Sequence, residues 1–542
     1  MEDIKEIIKF RDEKMQMYAQ HDNKSDRKVL NIDNKDDEYG SMFVRNEFSK
    51  DRDRIKFSRA FRRLEHKAQI YSHEKGDHFR TRLTHTLEVS QIARSLARNL
   101  NLNEDLVEAI SIGHDIGHTP FGHQGERTLD NIMSGKDDLS GKIKFNINYG
   151  GFKHNFHSLK ILDQLEVKYK GVKGMNLTWQ VLEGILKHTR IKRHTNCKNC
   201  GGCWNIDKVV KDKDFLKEYL RYNFSVTLEG QIVAIADEIA QRQHDVDDGL
   251  RDIDLKLNFK EVATYLIAEF KDIIIEENAY TKNLERLIAS INDITEVSRI
   301  EREELFKVNV LVRNLINFFI IDVTFNSLIV MKENVCNYNF EQNEKNLFDK
   351  KYIWFSPVGE KVNIIIEKYI KTKILNSYNV NRFDGKSIYI IRQLFKAYYT
   401  NPRQMPEYVL VGLSKKIEAV SDTLHNIQFA GGTEVKDINF TGSKPEEIEK
   451  SLKLLKLEIP LSELDINQQL KSKMEDIKNK VMIEDKLKHI NNESKENLNK
   501  EEIYIKAMLE LHYAYLSVIC DYIAGMTDNY ASHEFKKLYL AD

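Results

Sequence analysis

Proline is the residue whose scarcity most constrains the fold of this chain. Only six prolines occur among the 542 residues. Proline removes a backbone N–H and its ring clashes with the preceding helical turn, so it ends or kinks a helix. Hydrophobic residues make up 41% and charged residues 31% of the chain, a balance typical of a globular protein with a sizeable core. The sequence therefore predicts an all-α fold.

The spacing of apolar residues predicts where several helices lie. Apolar residues recur at helical intervals in TRLTHTLEVSQIARSLARNLNL and again from about Glu104. Two glycines and a proline in GHDIGHTPFGHQGE end the second of these helices, and a new helix is predicted to begin near Gln124. The stretch VTLEGQIVAIADEIAQRQHDVDD predicts one further helix.

The net charge and the lengths of the apolar runs narrow the class of protein to which this chain can belong. The formal net charge is −1, from 83 basic and 84 acidic side chains, and indicates no global attraction to nucleic acid. The basic stretch between Arg52 and Lys67 leaves local binding of single-stranded nucleic acid open. The sequence has no run of 18 or more apolar residues, so no membrane span is expected. Five cysteines and a charged N-terminus lead us to expect a cytoplasmic, reducing location.

Two histidines and two aspartates form the predicted chemical centre: His85, His114, Asp115 and Asp237. Asp237 stands in an apolar helical stretch, where a carboxylate must be paired or bound to a cation because burying it alone is very costly. This set suits Mn²⁺, Fe²⁺, Co²⁺ or Ni²⁺, and less strictly Mg²⁺ or Zn²⁺. Such an ion polarises phosphoryl oxygens and lowers the pKa of a bound water. Each residue alone is more often a helix cap or a satisfied core residue, so the prediction depends on their clustering.

Six segments carry a likeness to known proteins, in order between residues 51 and 530: SRAFRRLEHKAQIY, TRLTHTLEVSQIARSLA, GHDIGHTPFGHQGE, HNFHSL, IADEIAQRQHDVDD and DYIAGMTDNYA. Together with the separated pattern H…HD…D, they resemble the HD-domain phosphohydrolases and, among these, the deoxynucleoside triphosphate triphosphohydrolases. The resemblance implies metal-dependent hydrolysis of a dNTP to a deoxynucleoside and inorganic triphosphate, by attack of water on the α-phosphorus. Among the ions that suit the two histidines and two aspartates, we expect manganese, magnesium, iron or cobalt.

The resemblance also implies roles for single residues. The four residues of the predicted chemical centre match its metal ligands. His123 and Glu126 match a catalytic dyad, in which His123 does acid–base work and Glu126 orients it. Their i, i+3 spacing lets them meet on a new helix. Five residues match substrate contacts: His118 and His154 at the phosphates, Arg82 on the phosphate and sugar side, and Gln69 and Asp245 near the 3′-hydroxyl.

Two positions depart from the family pattern. His157 stands where the family often has glutamine, and Gln241 stands where it often has a tyrosine that frames the sugar and base. The second departure leaves the preferred nucleotide open. The alternatives are another HD reaction, such as that of a nucleotidase or cyclic-nucleotide phosphodiesterase, and a non-catalytic scaffold that binds nucleotides or single strands.

A cysteine-bearing loop over residues 194–205 adds a separate prediction. Cys197, Cys200 and Cys203 stand three residues apart, with His194 before them. Three thiolates at this spacing can wrap one metal ion, with His194 or His188 as the fourth ligand, and structural zinc is the first choice. The run also resembles part of an iron–sulfur ligand set, and the alternative is a surface loop of reduced cysteines.

The predicted organisation has three parts. An N-terminal helix and arm cover residues 1–50, and an HD-domain helical core that includes the cysteine loop covers residues 51–255. A helical C-terminal region over residues 256–542 is expected to complete the substrate site and the oligomer contacts. Its polar stretch 476–502 is predicted to be a mobile surface segment. The family resemblance implies a homo-oligomer, commonly a hexamer.

Overall fold

The computed structural model describes residues 2–29, 45–71, 79–143, 147–189, 222–298, 302–334, 345–425 and 500–540, together with residues 76, 216 and 219. Within these residues the only extended pairings are isolated bridges and no β-strand forms, so the predicted all-α fold is confirmed. The main helices are α1 (Glu2–Phe10), α2 (Glu47–Lys56), α3 (Arg59–Arg63), α4 (Arg82–Asn99), α5 (Glu104–Gly113), α6 (Gly122–Met133), α7 (His154–Lys160), α8 (Trp179–Lys187), α9 (Leu228–Arg251), α10 (Phe259–Lys271), α11 (Ala279–Glu296), α12 (Glu303–Asn334), α13 (Pro357–Ile370), α14 (Tyr378–Thr400), α15 (Glu407–His425), α16 (Lys500–Ala524) and α17 (Asp528–Tyr539).

The chain divides into two compact units. The first unit comprises Met1–Glu126, Lys153–Ile388 and Gly525–Tyr530, and the second comprises Arg127–Phe152, Tyr389–Ala524 and Ala531–Asp542. The predicted three-part organisation stays a prediction. The cysteine loop and the polar stretch up to residue 499 lie outside the described residues.

Helices α4, α5, α8 and α9 form the centre of the first unit and pack against one another. Each of the first two begins at a side-chain cap: the Thr81 hydroxyl accepts a hydrogen bond from the Thr84 N–H, and Asn103 accepts one from the Leu106 N–H. The apolar faces predicted from the sequence are buried, as at Leu96 and Ile110. Burial of one such side chain contributes about 1.5–3 kcal/mol.

The basic stretch after residue 51 is not one continuous helix. Helix α2 ends at Lys56, and Ser58 caps a new short helix by accepting a hydrogen bond from the Phe61 N–H. Arg54 is buried and donates to Asp51 at 2.8 Å. The stretch therefore combines a buried ion pair with exposed residues such as Arg62 and Arg63.

Helix α12 is long and apolar enough to cross a membrane, by length and composition alone. Its buried side chains include Leu311, Leu315 and Phe319, which belong to the main hydrophobic core. The helix packs against α9 and α11 in the first unit. One face of the helix therefore packs in the core, whereas Leu305, Phe306 and Ile321 are exposed.

In the second unit, α15 packs against α16. Buried leucine and isoleucine side chains, such as Leu413 and Ile519, contribute to this packing. Tyr149, which precedes α7 in the chain, lies 2.6 Å from Nδ1 of His512 through its hydroxyl. The second unit thus joins residues around position 150 to the C-terminal helices.

Candidate metal centre and active site

Three helices bring the predicted metal ligands together. His85 lies in the first turn of α4, His114 and Asp115 follow directly after α5, and Asp237 lies within α9. The Nε2 atom of His85 lies 3.1 Å from Oδ1 of Asp237 and 3.8 Å from Oδ2 of Asp115. The Nε2 atom of His114 lies 3.4 Å from Oδ1 of Asp115 and 3.6 Å from Oδ1 of Asp237. The four side chains therefore converge on one point.

The chemistry of these atoms fits a divalent ion. Ligand atoms of His85, His114 and Asp115 all lie within 4.8 Å of one another, and the three side chains are buried. The buried Nε2 of His114 has no hydrogen-bond partner among the described residues. Burial opposes ionisation of Asp115, but the neighbouring imidazoles and the Arg82 guanidinium hold its pKa well below its usual range. An ionised carboxylate beside free imidazole nitrogens is a donor set that binds metal.

The second nitrogen of each histidine has a partner that fixes the ring. The Nδ1–H of His114 donates to the carbonyl oxygen of Ser111 at 2.5 Å, which leaves Nε2 free. The Nδ1 atom of His85 lies 2.9 Å from Nδ1 of His244, and the other ring nitrogen of His244 contacts Glu88. The sequence reasoning missed His244 and Glu88, although both stand on the helices of the predicted ligands.

Two hydrogen bonds of the Ser158 hydroxyl hold the loop after α5, and Gly117 lies close to the backbone of α7. The Gly117 N–H donates to Oγ of Ser158 at 2.8 Å, and that hydroxyl donates to the His114 carbonyl at 2.8 Å. A Cβ atom on Gly117 would lie 2.2 Å from the carbonyl oxygen of His154. The segment GHDIGH therefore needs its second glycine, because α7 approaches the loop backbone directly.

A second group of imidazoles adjoins Asp115. The Nε2 atom of His118 lies 3.1 Å from Oδ1 of Asp115, and the His118 ring stacks on that of His154 with 3.8 Å between centroids. Ligand atoms of Asp115, His118 and His154 also lie within 4.8 Å of one another. The Nε2 atom of His154 lies 3.2 Å from Nε2 of His188. His188 thus belongs to this cluster, and burial followed by the charge of His114 lowers its pKa to about 3.

Glu126 meets a different histidine from the one expected. Its Oε2 lies 2.6 Å from Nδ1 of His154, and no hydrogen bond joins it to His123 in the described part of the first unit. The His123 ring is exposed and packs edge-on against His118. The i, i+3 spacing on α6 places His123 and Glu126 on one helix without bringing them into contact.

The predicted substrate residues carry buried polar atoms without partners. Arg82 is 1% exposed and donates through Nη1 to Oδ2 of Asp115 at 2.7 Å, while its Nε and Nη2 have no partner among the described residues. Oε1 of Gln69 and Oδ1 of Asp245 are likewise unpartnered. Burial raises the pKa of Asp245 to about 8. Unpaired buried polar atoms are costly, and a bound ligand is one way to satisfy them.

A cavity of about 820 Å³ opens beside the predicted metal ligands. Asp237, Gln241 and His188 line it together with Trp354 and Arg242. Gln241 therefore faces this cavity, at the position where the family pattern often has tyrosine. His157, the other departure, is buried, and its Nδ1 lies 2.9 Å from the carbonyl oxygen of Gly117.

Comparison with known proteins identifies the class. The family model described as HD domain matches residues 82–242, and the phosphohydrolase-associated domain matches residues 464–537. The first match contains all four predicted metal ligands. The chain is therefore an HD-domain phosphohydrolase, a class whose domain binds divalent metals.

Curated relatives identify the particular family. The chain is 35% identical over 366 residues to the deoxyguanosinetriphosphate triphosphohydrolase-like protein of Nitrosomonas europaea. The aligned region covers 67% of this chain and 82% of the relative. It is 35% identical over 361 residues to that of Geobacter metallireducens, covering 66% of this chain and 79% of the relative. It is 34% identical over 379 residues to that of Nitrobacter hamburgensis, and the aligned region covers 69% of this chain and 84% of the relative. The chain belongs to the deoxyguanosinetriphosphate triphosphohydrolase-like proteins, and the predicted family is confirmed.

Proposed function

We propose that the protein is a metal-dependent deoxynucleoside triphosphate triphosphohydrolase, which converts a dNTP such as dGTP to a deoxynucleoside and inorganic triphosphate. The observation that carries this proposal is the Arg82 guanidinium. It is buried, held by Asp115 at 2.7 Å, and two of its nitrogens have no partner in the described parts of the chain, beside the converging metal ligands. An arginine in this position is prepared to bind a phosphate oxygen next to a metal.

His85, His114, Asp115 and Asp237 would hold the divalent ion. Manganese, magnesium, iron and cobalt are the candidates, because imidazole and carboxylate ligands suit this group. The bound ion polarises a phosphoryl oxygen and lowers the pKa of a water. The side chains that accept this ion are already turned toward one another by the contacts of Ser111 and His244.

The phosphate side of the site is formed by Arg82, His118 and His154. Their charge and hydrogen-bonding groups would orient the triphosphate so that water meets the α-phosphorus opposite the 5′-oxygen. Glu126 orients His154 through the 2.6 Å contact, which prepares the imidazole to move a proton. His123 is the second proton-transfer residue, at the departing 5′-oxygen.

Gln69 and Asp245 are proposed to read the sugar. Each has a buried oxygen that finds no partner within the described ranges. With a pKa raised to about 8 by burial, the Asp245 carboxyl is neutral at pH 7 and can donate as well as accept a hydrogen bond. A 3′-hydroxyl offers a donor and an acceptor to such a group.

The test is to incubate the full chain with each dNTP, singly and mixed, with each candidate metal, and to separate the products by chromatography. We expect deoxynucleoside and triphosphate in equal amounts. Monophosphate or free phosphate as product would instead support a nucleotidase or phosphodiesterase, and binding without turnover would support a scaffold. The homo-oligomer and the binding of single strands remain predictions from the sequence.

An Asp115→Asn variant adds a test of the site. It should lose bound metal and all dNTP hydrolysis, because it removes a ligand charge and the partner of Arg82. Asp105→Asn is the matched control, since Asp105 makes a partly exposed ion pair with Arg52. Hydrolysis that persists in the Asp115→Asn variant would refute the assignment.

A further inference from the structure

The carboxylate of Asp528 joins two segments that lie far apart in the sequence. Its Oδ1 accepts a hydrogen bond from the Phe121 N–H at 2.9 Å, and its Oδ2 accepts one from the Ala68 N–H at 2.9 Å. Asp528 is buried and begins α17, within the motif DYIAGMTD. Both acceptor atoms of one side chain are therefore used on backbone groups of the first unit.

One of these segments is the turn that leads into α6. Phe121 has a φ of +61° and Gly122 a φ of +60°, so both occupy the left-handed region. This region is unfavourable for a residue such as phenylalanine, and neighbouring contacts must hold the turn. The Thr119 hydroxyl donates to the Gly122 carbonyl at 3.1 Å, and Asp528 holds the Phe121 amide. His123 follows the turn immediately.

The other segment runs from Lys67 to Gln69. The Arg82 N–H donates to the Lys67 carbonyl at 3.0 Å, and the buried Lys67 ammonium donates to the carbonyl of His118. Burial, together with the charge of Arg63, lowers the pKa of Lys67 to about 7. A Cβ atom on Gly122 would lie 3.1 Å from the Gln69 carbonyl oxygen, so the two segments touch.

We propose that Asp528 is a positioning residue of the active site. It acts through the amides of Ala68 and Phe121, and thereby sets the positions of Gln69 and His123 relative to Arg82. This inference rests on the proposed function for its effect on turnover, but the clamp itself is a property of the folded chain. A residue near the C-terminus thus takes part in the geometry of a site whose metal ligands all lie before residue 238.

The predicted metal ligands are held by contacts other than this clamp. His85 lies on α4 and Asp237 on α9, and His114 and Asp115 follow α5 directly. The rings of His114 and His85 are oriented by Ser111 and His244. Loss of the Asp528 carboxylate should therefore loosen the two segments and leave metal binding intact. A general loss of structure would reduce both together, and this difference separates positioning from simple stabilisation.

The experiment compares Asp528→Ala and Asp528→Asn with the wild-type chain. Asp528→Ala removes both acceptors, whereas Asp528→Asn keeps one oxygen and replaces the other by a donor. Glu534→Gln is the matched control: it also removes one charge from α17, at a residue whose partner is the exposed Lys537. For each full-length protein we would measure amide hydrogen exchange at Ala68 and Phe121, bound metal per chain, and kcat and KM for dNTP.

We expect exchange at both amides to rise at least about tenfold in Asp528→Ala, since hydrogen bonds to charged groups contribute enough for that change. Asp528→Asn should lie between Asp528→Ala and wild type. Bound metal should remain at the wild-type level, while KM rises and kcat falls, and Glu534→Gln should match wild type throughout.

Two results would overturn the inference. Unchanged exchange at Ala68 and Phe121 would show that Asp528 does not hold these segments. Metal loss in proportion to the loss of turnover, with KM unchanged, would show a purely structural role. If the wild-type chain hydrolyses no dNTP, the proposed function fails, while the exchange measurement still decides whether the clamp exists.

Discussion

Glu126 pairs with His154: its Oε2 lies 2.6 Å from Nδ1 of the imidazole. Burial opposes the charge on Glu126, but the His154 contact holds the pKa of this carboxyl well below its usual range. The carboxylate is therefore ionised and fixes the orientation of the His154 ring. The predicted pairing with His123 is replaced by a contact to a residue 28 positions away.

The pairing of Glu126 with His154 predicts non-additive kinetics. Glu126→Gln and His154→Gln should each lower kcat by about 10²–10⁴-fold, the usual range for a group that transfers a proton. The double variant should be no slower than the slower single variant, because both changes disable one unit. The measurement is steady-state turnover of a dNTP.

The control cycle replaces His154→Gln by His123→Asn. Since His123 makes no hydrogen bond to Glu126 in the described part of the first unit, its effect should combine with that of Glu126→Gln close to additively. Non-additivity in this cycle, with additivity in the first, would favour the pairing predicted from the sequence.

His244 is predicted to tune the metal site without binding the ion. It contacts the ring nitrogen of His85 that faces away from the carboxylates. Partners of this kind change metal affinity by about 10–100-fold, so His244→Ala should weaken binding by that factor. Titration of the metal-free protein with Mn²⁺ measures this change in affinity. His66→Ala, at an exposed histidine, is the control, and equal affinity of the two variants would contradict the prediction.

A buried ion pair outside the site should dominate the stability of the N-terminal part of the first unit. Asp51 is fully buried and accepts hydrogen bonds from Arg27 at 3.1 Å, Arg54 at 2.8 Å and the Thr178 N–H at 2.7 Å. Asp51→Ala removes the carboxylate that the buried Arg54 and Arg27 share and should lower the free energy of unfolding by about 3–5 kcal/mol.

Urea unfolding measures this change. Asp53→Ala is the comparison, because Asp53 lies on the same helix with partly exposed partners such as Arg45 and should change the free energy of unfolding by no more than about 1 kcal/mol. A similar decrease in the free energy of unfolding in both variants would show that the burial of Asp51 adds nothing to the stability of the folded chain.

The buried Asp245 predicts a pH dependence of stability. Burial raises its pKa from 3.8 to about 8, so between these values the folded chain holds a proton that the unfolded chain releases. This proton stabilises the folded chain fully at pH values below the pKa of Asp245 in the unfolded chain. The stabilisation is lost as the pH rises through the pKa of Asp245 in the folded chain. Compared with Asp245→Asn, the wild-type free energy of unfolding should fall by about 1.4 kcal/mol per pH unit in this window.

Unfolding in urea at pH 5, 6, 7 and 8 checks this slope. Parallel profiles of the wild type and the Asp245→Asn variant would mean that Asp245 has an ordinary pKa in the folded chain. Such a result would also remove the neutral carboxyl from the proposed sugar contact.

The four predicted metal ligands illustrate what the sequence could predict. His114 and Asp115 follow an apolar helix closed by glycine, and Asp237 interrupts another apolar helix, so local patterns already marked them as unusual. Their convergence follows from the packing of α4, α5 and α9. The helix predicted to begin near Gln124 begins at Gly122, within the GHDIGHTPFGHQGE segment.

The contacts of Glu126, Lys67 and Asp528 could not be predicted in the same way. Helical spacing says which residues share a face, but it does not say which ring arrives from another helix. The Asp528 clamp joins positions more than 400 residues apart, and no local pattern encodes such a pairing.

The most direct test of the proposed reaction is hydrolysis of a dNTP in water enriched in ¹⁸O, with mass analysis of both products. Attack on the α-phosphorus predicts one ¹⁸O atom in intact inorganic triphosphate and none in the deoxynucleoside. Label in the deoxynucleoside, or release of orthophosphate or of pyrophosphate with a monophosphate, would contradict the account.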